Sequence, residues 1–362
     1  MDKIVSENTE VQFITRTQDI WDAMYQDCLN AEKSIEFEQY ILRDDEAGHR
    51  FLRLFIDKVH MGVSVRLILD KIGSRQLYSS PLLKELRESG GRVYFYNSIG
   101  WQNLFRPDTW FPRNHSKMML LDSKVCYLGS ACIAEHMKGW RDTQMRFTGD
   151  LVKDVQKDFG RIWERLIKKA RTLPSWSSDK TVNLRYIATR PRFLPNPIYK
   201  ELLHEINHAQ KNICLVTPYF LPPWRLRRAL CEAVVRGVNV RVMMGEKTDV
   251  WIADYVSHSY FLEILKYDIK IFLYTETVMH AKYAIVDDKW ATLGSTNMDY
   301  LSLVRNREAN VIIRDRNIIA QLRKNFEEDL NHCRQVDKSY EKGLPILRRV
   351  IGYAGRSIRR IL

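Results

Sequence analysis

The string His-x-Lys-x4-Asp-x6-Gly-Ser occurs twice in this chain. It reads His115, Lys117, Asp122, Gly129-Ser130 and again His280, Lys282, Asp287, Gly294-Ser295. Every spacing agrees, so the chain is expected to fold as two similar halves. His and Lys two residues apart share one face of a strand. The runs that follow, Met118–Leu121 and Tyr283–Val286, are continuously apolar, as in strands buried on both sides. Each Asp then meets a turn (Asp122-Ser123-Lys124, Asp287-Asp288-Lys289), and a second short strand (Val125–Leu128, Trp290–Leu293) leads into Gly-Ser. Each copy therefore predicts a hairpin presenting His and Lys beside a glycine turn, where glycine would let backbone approach a phosphate.

The repeat extends beyond the hairpins. Ala31–Ile35 parallels Ala209–Ile213, Gly62–Arg66 parallels Gly237–Arg241, and Gly91–Tyr96 parallels Asp268–Tyr274. Strands and helices alternate in each half, which predicts an α/β fold: two mixed sheets flanked by helices. The expected boundaries are a first half over 1–173, a linker over 174–180, a second half over 181–336 and a basic amphipathic tail over 337–362. The halves are expected to pack about a pseudo-twofold axis, bringing His115 and His280 face to face. The alternative is two separate domains with unrelated sites. The halves' closing helices are expected over Val152–Arg171 and Asn317–Asn331.

With 57 Lys+Arg against 44 Asp+Glu, the 362-residue chain has a formal charge of +13. That implies an anionic partner, either nucleic acid or acidic lipid. None of the six cysteines forms a C-x-x-C pair, so neither a zinc site nor a disulfide framework is indicated. Reduced thiols are the expectation. No apolar run reaches the roughly 18–20 residues of a membrane span, and MDKIVSENTE is no signal peptide. Work on a membrane is expected from its surface.

The copies differ upstream of the motif. Between Tyr96 and His115 the first copy carries 13 residues more than the second has between Tyr274 and His280. They include Trp101, Leu104, Phe105, Trp110 and Phe111, with Arg106 and Arg113. Such a segment can pack over its own domain. Read functionally, it is a lip whose Trp101, Phe105, Trp110 and Phe111 touch a membrane or acyl chains. Residues 345–362 hold Ile346, Val350, Ile351, Ile358 and Ile361 among Arg348, Arg349, Arg356, Arg359 and Arg360, without one acidic residue. That pattern reads as an interfacial anchor, or else as a helix packed on the body with solvated arginines. Gly352 and Gly355 weaken the helix.

Two histidines and two lysines suit displacement at a phosphodiester. A neutral imidazole can attack phosphorus where an anion is repelled. The second histidine can protonate the leaving oxygen, and the lysines stabilise the non-bridging oxygens. Ser130, Ser295 and Asn297 are candidate phosphate donors. Each histidine needs an acid on its second nitrogen to set its tautomer. Asp142 and Glu308, at the starts of predicted strands, are the candidates, although Glu308 can also be read as a solvated carboxylate. Asp122 and Asp287 complete the motif but are expected to brace the fold. No metal spacing is found and no cofactor is expected.

These residues resemble the phospholipase D superfamily, whose signature is a duplicated His-x-Lys-x4-Asp followed by Gly-Ser or Gly-x-Asn. Within it the chain is most similar to the bacterial cardiolipin synthases. The similarity lies in Gly139–Thr143, Asp288–Asn297, Leu301–Leu303 and Glu308–Ile313. The resemblance implies transfer between two phosphatidylglycerols to give cardiolipin and glycerol, with catalytic residues His115, Lys117, Asp122, His280, Lys282 and Asp287. It orders His115 as nucleophile and His280 as acid/base. It also implies an anionic phospholipid partner, with nucleic acid disfavoured, and a peripheral place on the cytoplasmic face of a bacterial membrane. The lack of spans resembles the subset without N-terminal transmembrane helices. One departure stands out: Cys132 occupies the position that Asn297 holds in the second copy. The competing readings are a hydrolase of the same superfamily, acting on phospholipid or on nucleic acid, and a non-catalytic lipid binder.

Overall fold

The computed structural model describes residues 3–6, 8–97, 112–168, 176–177, 183–189, 196–337, 339–340 and 345–356. The first half supplies strands β1 (Ile4–Ser6), β2 (Thr9–Arg16), β3 (Ser34–Gln39), β4 (Ser64–Asp70), β5 (Arg92–Tyr96), β6 (Met118–Leu121), β7 (Val125–Gly129) and β8 (Arg141–Thr148). Its helices are α1 (Thr17–Leu29), α2 (Glu46–His60), α3 (Pro81–Glu88) and α4 (Asp150–Lys168). The second half supplies β9 (Trp176–Ser177), β10 (Leu184–Ala188), β11 (Asn212–Val216), β12 (Asn239–Gly245), β13 (Lys270–Tyr274), β14 (Tyr283–Val286), β15 (Trp290–Gly294), β16 (Ala309–Ile313) and β17 (Cys333–Val336). Helices α5 (Pro197–His208), α6 (Trp224–Val235), α7 (Trp251–Leu265), α8 (Arg316–Leu330) and α9 (Ile346–Gly355) complete it.

The sheet orders are β1-β2-β8-β7-β6-β3-β4-β5 and β17-β13-β12-β11-β14-β15-β16-β10-β9. β3, β4 and β5 run parallel, as do β11, β12 and β13, because helices connect them. The motif hairpins β6–β7 and β14–β15 add to these antiparallel. The sheets are mixed and flanked by helices, as the alternating pattern requires. Trp176 and Ser177, placed in the expected linker, instead form β9 on the edge of the second sheet.

One apolar core joins the halves. Phe147 of β8 and Val155 and Phe159 of α4 belong to the same buried cluster as Tyr186 of β10, Val311 of β16, and Leu322 and Phe326 of α8. Both closing helices contribute apolar faces to it, so neither half is completed alone. The two outer faces have cores of their own, under α1–α3 and under α5–α7. No helix among the described residues is long and apolar enough to cross a membrane.

The glycines of the motifs serve the sheet. A Cβ on Gly129 would lie 2.5 Å from Thr143 O, and one on Gly294 would lie 2.2 Å from Ala309 O. Close strand approach, rather than approach of a phosphate, accounts for glycine at both positions.

Candidate active site

His115 and His280 lie just before β6 and β14, where the backbone pairs briefly with the other half. The backbone N–H of His115 donates to Arg307 O at 2.9 Å, and that of Arg307 to Arg113 O at 2.9 Å. The mirror pair is His280 N–H to Arg141 O at 2.7 Å and Arg141 N–H to Val278 O at 2.9 Å. These two short bridges set each histidine beside a carboxylate of the opposite half. His115 Nδ1 lies 3.0 Å from both oxygens of Glu308, and His280 Nδ1 lies 2.7 Å from Asp142 Oδ2. A proton on Nδ1 donated to the carboxylate leaves Nε2 with a free lone pair.

Buried arginines fix the exchange. Arg307 donates to Glu38 at 2.8 and 3.0 Å and to Asp158 at 2.8 Å, both in the first half. Arg141 of the first half holds Asp329 of the second at 2.7 and 2.6 Å. Each arginine directly precedes its half's orienting carboxylate. Removing one partner from such a pair would strand a buried charge.

The four motif His and Lys side chains are nearly sealed from solvent: Lys117 and Lys282 are each 1% exposed, and His115 and His280 are also buried. Burial pushes His115 down to about 4, with Lys117 adding to the effect and Glu308 opposing it. Burial likewise lowers His280, helped by Lys282 and opposed by Asp142. Both imidazoles are thus neutral at pH 7. Burial lowers Lys282 to about 8, Asp142 opposing and Lys117 contributing. Lys117 is also lowered by burial. Burial raises Asp142, but His280, Lys282 and Ser130 outweigh it and hold the carboxylate below its usual range. Lys282 also acts electrostatically on His115, so the two motifs share one site.

Each lysine donates to the carbonyl of its own histidine, Lys117 Nζ to His115 O at 2.6 Å and Lys282 Nζ to His280 O. That bond fixes the ammonium beside the ring and leaves further protons for a ligand. The serines stand differently from the expectation. The Ser130 hydroxyl donates to Asp142 and the Ser295 hydroxyl to Glu308. Their protons are committed to the orienting carboxylates and are not free for phosphate. Asn297 is buried, with its Oδ1 unpartnered, and its side chain hydrogen-bonds Asp299. Asp299 is fully enclosed; burial and then Glu308 raise it to about 7, against Ser302 N–H, Asn297 and Lys282. In the first half Cys132 and Ala134 take these two places, both buried.

Asp122 and Asp287 sit at the far ends of β6 and β14, roughly 16 Å along the strand from the lysines at about 3.3 Å per residue. Asp122 accepts from the N–H groups of Glu32, Lys33 and Ser34 at 2.9, 2.7 and 2.8 Å. Asp287 accepts from Gln210, Lys211 and Asn212 at 2.7, 2.7 and 2.9 Å. Both have left-handed backbone, with φ of 51° and 52°, which Asp tolerates better than most residues. Grouped with the catalytic residues by their motif, they tie the hairpin to the start of β3 or β11 and do not reach the site. Trp101, Phe105, Trp110 and Phe111 lie outside the described residues. Arg113, assigned to the lip, is instead buried and ion-paired with Asp70 at 2.9 Å.

Several site residues escaped the sequence reading. Tyr40 meets the His115 ring edge-on at 4.9 Å, and Lys117 Nζ lies 5.2 Å from the Tyr40 centroid. Trp140 packs against His280 at 5.4 Å. The Arg141/Arg307 clasp had a legible signal, an arginine immediately before each candidate carboxylate. Tyr40 had none, because its counterpart by strand alignment is Pro218. Among the described residues no cluster of three or more His, Cys, Asp or Glu could hold a metal ion.

A family profile described as "Cardiolipin synthase, PLD-like domain" matches residues 24–163 and 202–330. A cardiolipin synthase of Oceanobacillus iheyensis is 30% identical over 346 residues, covering 92% of this chain and 71% of that protein. One from Geobacillus sp. (strain WCH70) is 29% identical over 371 residues, covering 99% and 73%. Among solved structures, phosphatidylserine synthase of Haemophilus influenzae Rd KW20 superposes with a TM-score of 0.76 at 16% identity, over 97% of this chain and 95% of that one. That likeness speaks for the fold.

Proposed function

The chain belongs to the cardiolipin synthase family of phospholipase D-like proteins, and from that premise we propose that it is a phosphatidyltransferase joining two phosphatidylglycerols into cardiolipin with release of glycerol. The observation that carries the reading is the crossed pairing of His115 with Glu308 and of His280 with Asp142 around two buried lysines. Neutral His115 attacks phosphorus through Nε2. A P–N bond forms, the P–O bond to glycerol breaks, and His280, protonated once the anionic substrate is bound, gives its Nε2 proton to the departing oxygen. The hydroxyl of a second phosphatidylglycerol then passes its proton to His280 and attacks phosphorus, and the P–N bond breaks. Lys117 and Lys282 hold the non-bridging oxygens throughout. The enzyme acts from the cytoplasmic surface of a bacterial membrane.

The two lysines supply the positive charge that a divalent cation would otherwise bring, so turnover should persist in a chelator. Activity lost with a chelator and restored by one cation would refute that. The reading itself is tested by incubation with phosphatidylglycerol vesicles and, separately, with labelled DNA, products being resolved by mass. Cardiolipin and glycerol in equal amounts are expected. Phosphatidic acid alone would make the protein a lipid hydrolase, and DNA fragments would make it a nuclease.

A further inference from the structure

The tail helix α9 turns Ile346, Leu347, Val350 and Tyr353 away from the protein. Its inner face is made of glycine. A Cβ on Gly352 would lie 2.4 Å from Tyr255 O, and one on Gly355 would lie 2.4 Å from Val256 Cγ2. Next in line, Arg356 donates through Nε to Ser259 Oγ at 2.9 Å, with its guanidinium 4.2 Å from the Tyr260 centroid. The two glycines that weaken the helix in isolation are what let it lie on α7.

The outer face carries Ile346, Leu347, Val350 and Tyr353, which are 77%, 69%, 58% and 45% exposed. Their spacing of three and four places them in one stripe. A helix on a protein in water buries such a stripe, and this one presents it. The register that sets Gly352 on Tyr255 and Arg356 on Ser259 runs the first turn of α9 beside the start of α7. There Trp251 is 62% exposed. Two residues earlier, Asp249 acts electrostatically on both His280 and Lys282, so this end of α7 borders the catalytic site. Exposed apolar residues scattered singly need no explanation, but a contiguous row does. The charge fits one kind of partner: residues 345–355 include Arg348 and Arg349 and no acidic residue, as suits an anionic leaflet.

We propose that Ile346, Leu347, Val350 and Tyr353, together with Trp251, form the surface that docks on an anionic lipid bilayer and seats the mouth of the active site against it. The idea rests on the proposed function only in taking a bilayer lipid as the substrate. α9 is then a rigid part of the rim and not a loose tether. Its stripe enters the interfacial zone, and the positive charge of the segment favours an anionic leaflet.

The test compares the wild type with Leu347→Glu/Val350→Glu by flotation with phosphatidylglycerol vesicles and with phosphatidylcholine vesicles. Turnover is followed on vesicles and on short-chain phosphatidylglycerol below its micelle concentration. The double variant should bind phosphatidylglycerol vesicles at least ten-fold more weakly and turn vesicle lipid over correspondingly slowly. Its turnover of the monomeric substrate should stay within two-fold of wild type. Leu347→Trp/Val350→Trp should bind vesicles more tightly, which tests the same surface should the acidic variant fail to fold. Unchanged vesicle binding in both variants would overturn the proposal. So would a wild-type dimer that the acidic variant dissolves, since a second copy would then cover the stripe. A wild type that floats with vesicles yet makes no cardiolipin from either substrate would refute the function and leave the docking surface standing.

Discussion

The two hairpins are near copies in backbone and differ in what surrounds them. Asn114 and Ser116 flank His115, and Met279 and Ala281 flank His280. His115 meets Glu308 and packs edge-on with Tyr40, whereas His280 meets the shorter Asp142 and a tilted Trp140 ring. On the second half's side of the site lie Asn297 and Asp299, matched on the first by Cys132 and Ala134. The parts that duplicate are those that build strands and orient imidazoles. The parts that diverge are those a substrate would touch. A symmetric frame with an asymmetric lining lets one histidine bond to phosphorus while the other handles protons, although their motifs are interchangeable on paper.

The hardest blow to that division is to remove each histidine in turn. His115→Ala and His280→Ala should each lose about 10³-fold or more in turnover of phosphatidylglycerol. The comparison sharpens with an activated substrate, a phosphatidyl nitrophenol whose leaving group needs no acid. His280→Ala should then accumulate a phosphatidyl adduct on His115, read by peptide mass, and His115→Ala should accumulate none. An adduct on residue 280 in the His115→Ala variant would reverse the roles.

The orienting carboxylates come next. Glu308→Gln and Asp142→Asn keep the shape but misdirect the Nδ1 proton, at a cost on the order of 10²–10⁴-fold. With the activated substrate the nitrophenol burst should recover in Asp142→Asn and stay slow in Glu308→Gln, because only the nucleophile's partner still matters there. Equal bursts would mean that the halves do not divide the work.

The lysines give a pH signature. Lys282, lowered to about 8 by burial, carries its charge below that pH and loses it above. The ratio kcat/KM should therefore fall on the alkaline side as the ammonium deprotonates. Lys282→Arg, whose guanidinium stays charged, should lower the plateau and move that limb to higher pH. A limb unmoved in Lys282→Arg would assign it to another group. On the acid side, His115 is lowered from 6.5 to about 4. The unfolded chain takes up this proton first, so the stability it contributes is lost as pH falls from 6.5 towards 4. His115→Gln should flatten that part of a denaturation profile.

Much of this was legible because strand chemistry is local. The two-residue step from His to Lys and the four apolar residues after it suffice to place β6 and β14. The carboxylate candidates were legible too, since each histidine needs an acid and Asp142 and Glu308 open the predicted strands that follow the hairpins. Which carboxylate meets which histidine was not, because the exchange depends on how the halves dock, through Arg141 and Arg307. The serines misled for a related reason. A hydroxyl beside a glycine looks available for phosphate until the carboxylate that takes its proton arrives from a neighbouring strand. The tail glycines misled through their context: read as helix breakers, Gly352 and Gly355 are contact residues on α7.

The smallest effect tests the lining itself. Asn297 has one half of its amide held by Asp299 and an unpartnered, buried Oδ1. Asn297→Cys removes both functions and leaves Asp299, already raised to about 7 by burial and Glu308, without that donor. A loss of about 1–2 kcal/mol, roughly 5–30-fold, is expected, mostly in KM. Cys132→Asn puts an amide on the first half's side, but Ala134 cannot hold it as Asp299 holds Asn297, so the change should stay within about three-fold, below 1 kcal/mol. The measurement is KM for phosphatidylglycerol in both single variants and in the exchanged pair. If Cys132→Asn improves KM as much as Asn297→Cys harms it, and the pair restores the wild-type value, the two sides bind substrate equivalently. The asymmetry would then be confined to the histidines. If the pair stays as poor as Asn297→Cys alone, Asp299 opposite Ala134 is what makes the second side different, because the exchange leaves those two residues in place.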